Sequence, residues 1–253
     1  PYEMDYGEEE ATGFSSPNFE KSHFLGTDKT ERDVLARLLY GFRIAMTFAI
    51  SYLLLTYLLA MGVGSLMGYA GGKIDMVGLR FVEIWSNVPF LYMVIILVSV
   101  MPGWWGVGWQ VSSLLFIMVL FSWTGMTYYV RASIYKEKAR EYVAAARVIG
   151  ASPTRIVFRH LLPNVISTLV TFAPFTIAAA ISSVTALDFL GYGLPPPTPS
   201  WGELLKQGVN NLRIAPWIVT STVSALVLTL TLVTFVGEAV REAFDPKKFS
   251  TYE

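Results

Sequence analysis

The sequence predicts an all-α polytopic membrane protein, and three observations predict it. Only 15% of the 253 residues are charged, against about 25% in a soluble globular domain. Apolar residues make up 53% of the chain and gather into runs long enough for a helix to cross a bilayer, about 20 residues each. The remaining charges cluster between those runs with a bias of sign. Net charge is zero, with 19 basic and 19 acidic residues, so charge offers no case for a nucleic-acid partner. The absence of cysteine excludes disulfides, thiolate metal sites and cysteine nucleophiles.

Five spans are expected in order. Ile44–Tyr69 and Val111–Val130 carry no charge. Phe81–Met101 carries Glu83, Val165–Leu190 carries Asp188 and Trp217–Val240 carries Glu238, each toward a span end, where a charge is cheaper than at the helix centre. The segment Arg131–Asn164 holds Arg131, Lys136, Lys138, Arg140, Arg147, Arg155 and Arg159, whereas Met101–Gln110 has no charge and three tryptophans, Trp104, Trp105 and Trp109. The positive-inside rule puts the first in the cytoplasm and the second outside, where the tryptophans suit an aromatic belt. Alternation puts the loop Ala70–Arg80 inside and Gly191–Pro216 outside.

The expected organisation is an extracytoplasmic segment 1–43, a transmembrane domain 44–240 with a cytoplasmic loop 131–164, and a cytoplasmic tail 241–253. Lys29, Arg32, Arg37 and Arg43 oppose the rule on the outer side. An outside start at Pro1 is explained by a further span upstream, giving six spans with both ends inside. Pro1–Thr30, with Glu8-Glu9-Glu10 followed by Gly, Ser, Pro and Asn, reads as an irregular connector with little core of its own.

Within the basic loop the pattern predicts a helix over Lys138–Ile149, with Ala139, Tyr142, Ala146 and Ile149 on one face. Ala144 and Ala145 leave a low surface beside that stripe. Gly150 suits the left-handed position that ends a helix. Ser152-Pro153 starts another, serine as cap and proline as first residue. Phe158, Leu161, Leu162 and Val165 are expected to form its apolar face, and Pro163 to kink it on entering the membrane. A simple tether needs no such start and stop signals, so the loop reads as a docking element for a soluble partner.

The stretch Glu141-Tyr-Val-Ala-Ala-Ala-Arg-Val-Ile-Gly150-Ala151, followed by Arg159-His-Leu-Leu-Pro163-Asn164, resembles the EAA loop of ABC importer permeases. Leu187-Asp188-Phe-Leu-Gly-Tyr-Gly-Leu194 and Phe235-Val-Gly-Glu238-Ala-Val-Arg241-Glu-Ala-Phe-Asp245-Pro246 are similar to segments of the dipeptide and oligopeptide C-type permeases. Their wording is most like the Yej-type subfamily. The likeness runs in order from about Phe24 to Lys248. It departs at the N-terminus, where the family's first span is missing.

The resemblance implies a type I ABC importer transmembrane fold in the bacterial cytoplasmic (inner) membrane. It implies a second, homologous permease subunit, two cytoplasmic ABC ATPase subunits and an extracytoplasmic peptide-binding protein that delivers a peptide substrate. Glu141, Tyr142, Ala144, Ala145, Gly150 and Ala151 would couple to an ATPase. Asp188, Pro196 and Trp201 are candidates for an external gate or a contact with the binding protein. No catalytic, cofactor or metal residue is expected in this chain. It lacks the Gly-x-x-x-x-Gly-Lys-Ser/Thr phosphate loop, so ATP and Mg would belong to the partner subunits.

Other classes stay in view. A secondary transporter would need charges near the midplane and often an internal repeat. An intramembrane enzyme would need a nucleophile, a carboxylate pair or a metal cluster at depth. The sequence displays none of these. The cargo is open: dipeptide, longer peptide, peptide antibiotic or nickel.

Overall fold

The computed structural model describes residues 13–18 and 23–243. The Glu8-Glu9-Glu10 run and the tail from Phe244, with Lys247 and Lys248, lie outside the described residues. The described chain is helical: α1 Val34–Ala70, α2 Gly72–Ser86, α3 Phe90–Ser99, α4 Val107–Lys138, α5 Glu141–Val148, α6 Pro153–Arg155, a π-helical turn Ile156–Leu161, α7 Leu162–Leu190, α8 Trp201–Asn210 and α9 Pro216–Ala243. Among the described residues four helical stretches are long and apolar enough to cross a membrane, or five if the bent pair α2 and α3 is one span.

That fifth span corrects an expectation. Phe81–Met101 is not one helix. The stretch Ala70–Arg80, expected as a loop, is largely the first half of α2, and α2 meets α3 at 70°. The break is local chemistry. Pro89 has no N–H to donate, and its ring disfavours helical backbone at Val88. Asn87 and Ser86 fold back on the Glu83 carbonyl, donating over 2.7 and 2.9 Å, which caps α2.

Two compact units make up the chain. One comprises residues 1–49, 98–114 and 178–233, the other 50–97, 115–177 and 234–253. The chain passes between them at 49–50, 97–98, 114–115, 177–178 and 233–234, one passage for each expected span.

In the second unit, Gly64 and Gly68 seat α1 against α4. A Cβ at Gly64 would lie 2.8 Å from Val130, and one at Gly68 2.8 Å from Ile134. Small residues four apart let backbones approach closely in the absence of a hydrophobic drive between helices. Gly62 does not share this role, for nothing lies within 4 Å of its Cβ position. Tyr57 of α1 reaches Thr176 of α7 at 2.9 Å. Buried Asp75 holds α2 to α4: it accepts a two-pronged contact from Arg131 and a bond of 2.8 Å from the Tyr135 hydroxyl. These contacts extend α4 eight residues beyond Val130, so the first part of the predicted loop is helix.

The first unit is built around two carboxylates. Asp28, fully buried, accepts from the backbone N–H groups of Thr30 and Arg32, the Thr30 hydroxyl, and the guanidinium groups of Arg32 and Arg37. Burial pushes this carboxyl up, but the N–H groups of Arg32 and Thr30, the Thr30 hydroxyl and Arg37 outweigh it and hold the group below its ordinary range. Arg37 also reaches Glu203 of α8. Asp28 thus ties the end of the Pro1–Thr30 segment, expected as an irregular connector with little core of its own, into a buried ion cluster. Arg32 and Arg37, two of the cations that oppose the orientation rule, face carboxylates here. Trp104 and Trp109, 84% and 73% exposed, fit the belt position.

Candidate functional site

The short helix α5 stands on one side chain. Val143 is fully buried, in a cluster with Tyr57, Val130, Ile134, Ile156, Leu161 and Val165. Tyr142, Ala146 and Ala151 pack against that cluster. The expected face of Ala139, Tyr142, Ala146 and Ile149 is half correct. Ala139 precedes the helix, and Ile149 points out at 85% exposure, next to Val148 at 89%. Residues 142, 143 and 146 form the inner face of a helix that starts at Glu141, and 149 lies beyond its last turn.

Gly150 ends α5 in the position expected of it, with φ +84°. The Ala151 N–H donates to the Ala146 carbonyl and the Gly150 N–H to the Arg147 carbonyl, both at 3.0 Å. This is the paired closure of a Schellman motif. The Ser152 hydroxyl then accepts from the Arg155 N–H at 3.3 Å, with Pro153 as first residue of α6.

The next turn departs from the sequence pattern. Ile156–Leu161 is π-helical, so burial falls at Ile156, Leu161, Val165 and Leu169, a step of five and then steps of four. Phe158, expected inside, is 71% exposed. Pro163 supplies the physical reason: it cannot donate to the Arg159 carbonyl, and a π turn relieves the clash of its ring there. The expected kink is taken up as this wider turn.

Tyr142 is the joint of the loop. Its hydroxyl donates to Glu137 at 2.8 Å and accepts from the Asn164 amide at 3.1 Å. Asn164 also donates to the His160 carbonyl at 2.9 Å, and Glu137 pairs with Arg140 at 3.0 Å. Burial, and the Glu137 carboxylate that takes its hydrogen bond, push the phenol up, so it remains a donor. One side chain thus ties the end of α4 to α5 and the start of α7. Replacing Tyr142 with phenylalanine is expected to cost about 1–2 kcal/mol and to speed limited proteolysis between residues 139 and 151, with no change in the apolar packing of the ring.

Outward from this brace face Glu141, Ala144, Ala145, Val148, Ile149 and Gly150, all exposed. Glu141 lies in the first turn of α5, where the helix dipole favours a negative charge. Two bare aliphatic side chains beside two alanines make an apolar patch of the kind that marks a protein contact. Of the six loop residues singled out by sequence, Tyr142 and Ala151 therefore brace the element, and the other four lie on its outer surface.

The external candidates separate similarly. Asp188 is buried, accepting from the Leu194 N–H and the Ser200 hydroxyl, each at 2.5 Å. Although it lies toward a span end, it pins the 191–200 loop. A Cβ at Gly202 would fall 2.1 Å from the Thr185 carbonyl oxygen, which explains glycine there. Trp201, 3% exposed, donates its indole N–H to the Leu38 carbonyl at 2.9 Å and anchors α8 on α1. Only Pro196 presents itself to solvent. Among the described residues no group of three or more His, Asp or Glu is placed to hold a metal.

The model of the family described as "binding-protein-dependent transport system inner membrane component" matches residues 60–250. The chain belongs to that family. This inner membrane component is 45% identical over 226 residues to the peptidoglycan transport system permease protein YejE of Agrobacterium fabrum, covering 89% of this chain and 58% of that one. It is 44% identical over 236 residues to the inner membrane ABC transporter permease protein YejE of Escherichia coli K12, covering 93% and 67%. It is 36% identical to the oligopeptide transport system permease protein OppC of the same strain, over 92% of this chain and 75% of that one. The chain thus spans between about three fifths and three quarters of these relatives' lengths. A chain of the inward-facing MetNI methionine ABC transporter superposes with a TM-score of 0.66 at 17% identity, covering 83% of this chain and 97% of that one. At that identity the match speaks to fold alone, and the fold is the expected type I importer transmembrane fold.

Several functional residues had no signal in the sequence. Glu137 and Asn164 meet at Tyr142 across 27 positions of chain, and Asp75 meets Arg131 across 56. Ile149, expected on the inner face, is bare.

Proposed function

We propose that this chain is the transmembrane permease subunit of an ATP-driven importer of peptide-class solutes. The observation that carries the reading is the braced helix α5, held by Val143 and Tyr142, with Ala144, Ala145, Val148 and Ile149 bare on its outer surface. A cytoplasmic ABC ATPase docks there. A second, homologous permease completes the pathway, a second ATPase docks on it, and an extracytoplasmic binding protein delivers the solute. The relatives named for peptidoglycan and oligopeptide transport support a peptide-bearing cargo. ATP and Mg belong to the ATPases.

Closure of the ATPases moves α5. Tyr142, Glu137 and the Asp75–Arg131 contact pass the movement to α4 and α2. Rigid-body transmission of this kind suits packed helices. The test is copurification. The wild-type chain, isolated from its own membrane, should bring down ATPase subunits with vanadate-sensitive activity. Ile149→Asp, which adds charge to the bare patch, should cut that activity about tenfold or more while leaving the chain in the membrane, consistent with loss of a buried apolar contact. Full ATPase recovery with Ile149→Asp would sink the reading.

A further inference from the structure

An apolar groove of about 460 Å³ runs along the second unit, between one face of α1 and the turn that follows the α5–α6 bend. Leu58, Gly62 and Tyr69 line it from α1, and Thr154, Val157 and Phe158 from the other side. Leu58 and Phe158 are 60% and 71% exposed. The stripe from Leu58 to Ala70 is about 18 Å long at the helical rise, close to the roughly 15 Å of one leaflet's hydrocarbon. Two cations crown its cytoplasmic end. Lys138 Nζ lies 5.3 Å and the Arg147 guanidinium 6.0 Å from the centre of the Tyr69 ring. Lys138 also donates to the Tyr69 carbonyl and lies within the field of Asp75. Asp75 is already held by Arg131 and Tyr135, so Arg131, Lys138 and Arg147 leave the cluster net positive.

An apolar slot one leaflet deep, with two cations gathered on the tyrosine at its water end, has the form of a phospholipid. We propose that this groove binds an anionic glycerophospholipid of the cytoplasmic leaflet, its acyl chain along Leu58 and Gly62 and its phosphate against Lys138 and Arg147. Basic pockets between membrane helices on the cytoplasmic side recognise such headgroups. Because α1 forms one wall and the residues after the α5 bend form the other, the lipid steadies the segment that carries α5. The inference rests on the membrane reading alone and does not depend on the cargo.

The test uses the full chain with its copurifying subunits, in nanodiscs of phosphatidylglycerol or of phosphatidylcholine, read by native mass spectrometry for retained lipid. The wild type should retain phosphatidylglycerol in preference. Lys138→Gln with Arg147→Gln should lower that preference about tenfold or more, at roughly fivefold per cation. Gly62→Leu, whose Cβ meets nothing within 4 Å, should fill the slot and release both lipids without unfolding the helix. Equal retention of the two lipids by wild type overturns the proposal. So does undiminished phosphatidylglycerol on Gly62→Leu. A cysteine placed at position 62 that cross-links to a second protein chain in the native membrane would assign the groove to that chain instead, and would also overturn it.

Discussion

Replacing Gly150 with valine is expected to cut solute uptake about tenfold or more while the subunit still assembles. A left-handed residue costs roughly 1–2 kcal/mol for any L side chain and more for a β-branched one. Gly150 has φ +84° with nothing within 4 Å of its Cβ position. The penalty is therefore one of backbone conformation and involves no clash. It falls on the turn that aims α5, whose closing bonds run from Gly150 to Arg147 and from Ala151 to Ala146. ATP hydrolysis should continue without matching transport in proteoliposomes. Gly150→Asn supplies the control, because asparagine tolerates the left-handed region and should keep most of the uptake. If valine transports normally, the turn does not aim the helix. If asparagine fails as badly as valine, the loss comes from a docking surface rather than from the backbone.

The second large effect is expected on stability. Arg37→Met should destabilise the protein by about 3 kcal/mol, because removing one member of a buried ion pair leaves the other charge unpaired. Asp28 is fully buried and the Arg37 side chain is 7% exposed. The lower end of the usual range applies because Arg32 and two backbone N–H groups still face Asp28. Melting of the purified protein should fall by roughly 6–12 °C, at about 2–4 °C per kcal/mol for a chain of this size. Glu203→Gln should cost less, under about 1 kcal/mol, since the Glu203 side chain is 37% exposed and water screens its charge. Equal losses in the two variants would show that Asp28 is not the centre of the cluster.

These two sites differ in how far the sequence announces them. Gly150 and Ser152 are local punctuation: a left-handed glycine, a cap and a proline act on their immediate neighbours, so their roles follow from the letters. The spans are legible for a similar reason, since each satisfies its own backbone hydrogen bonds and needs only length and apolarity. The break at Asn87-Val88-Pro89 was half legible. Proline announced a disturbance, but the 70° turn between α2 and α3 depends on how the two pieces pack.

Asp28, Arg37 and Glu203 show the opposite case. Nothing in the chain around Arg37 says that it meets a carboxylate 166 positions away. Asp188 looked like a solvated charge at a span end, and packing made it an internal pin. Ile149 was expected on the inner face of its helix, and packing left it bare. The step of five across the π turn was also hidden: Leu161 and Val165 are buried as expected, but Ile156 takes the inner place expected of Phe158.

By itself, the sequence determined the long apolar helices and the capped helix-turn-helix of the 131–164 loop, because apolarity and helix caps are set by residues within a few positions of one another. The sidedness it predicts rests on charge bias. The tertiary structure alone decided which charges are paired, which of the loop's residues brace it and which face outward. Those outcomes depend on partners tens to hundreds of residues apart, and only the folded packing brings them within hydrogen-bonding distance.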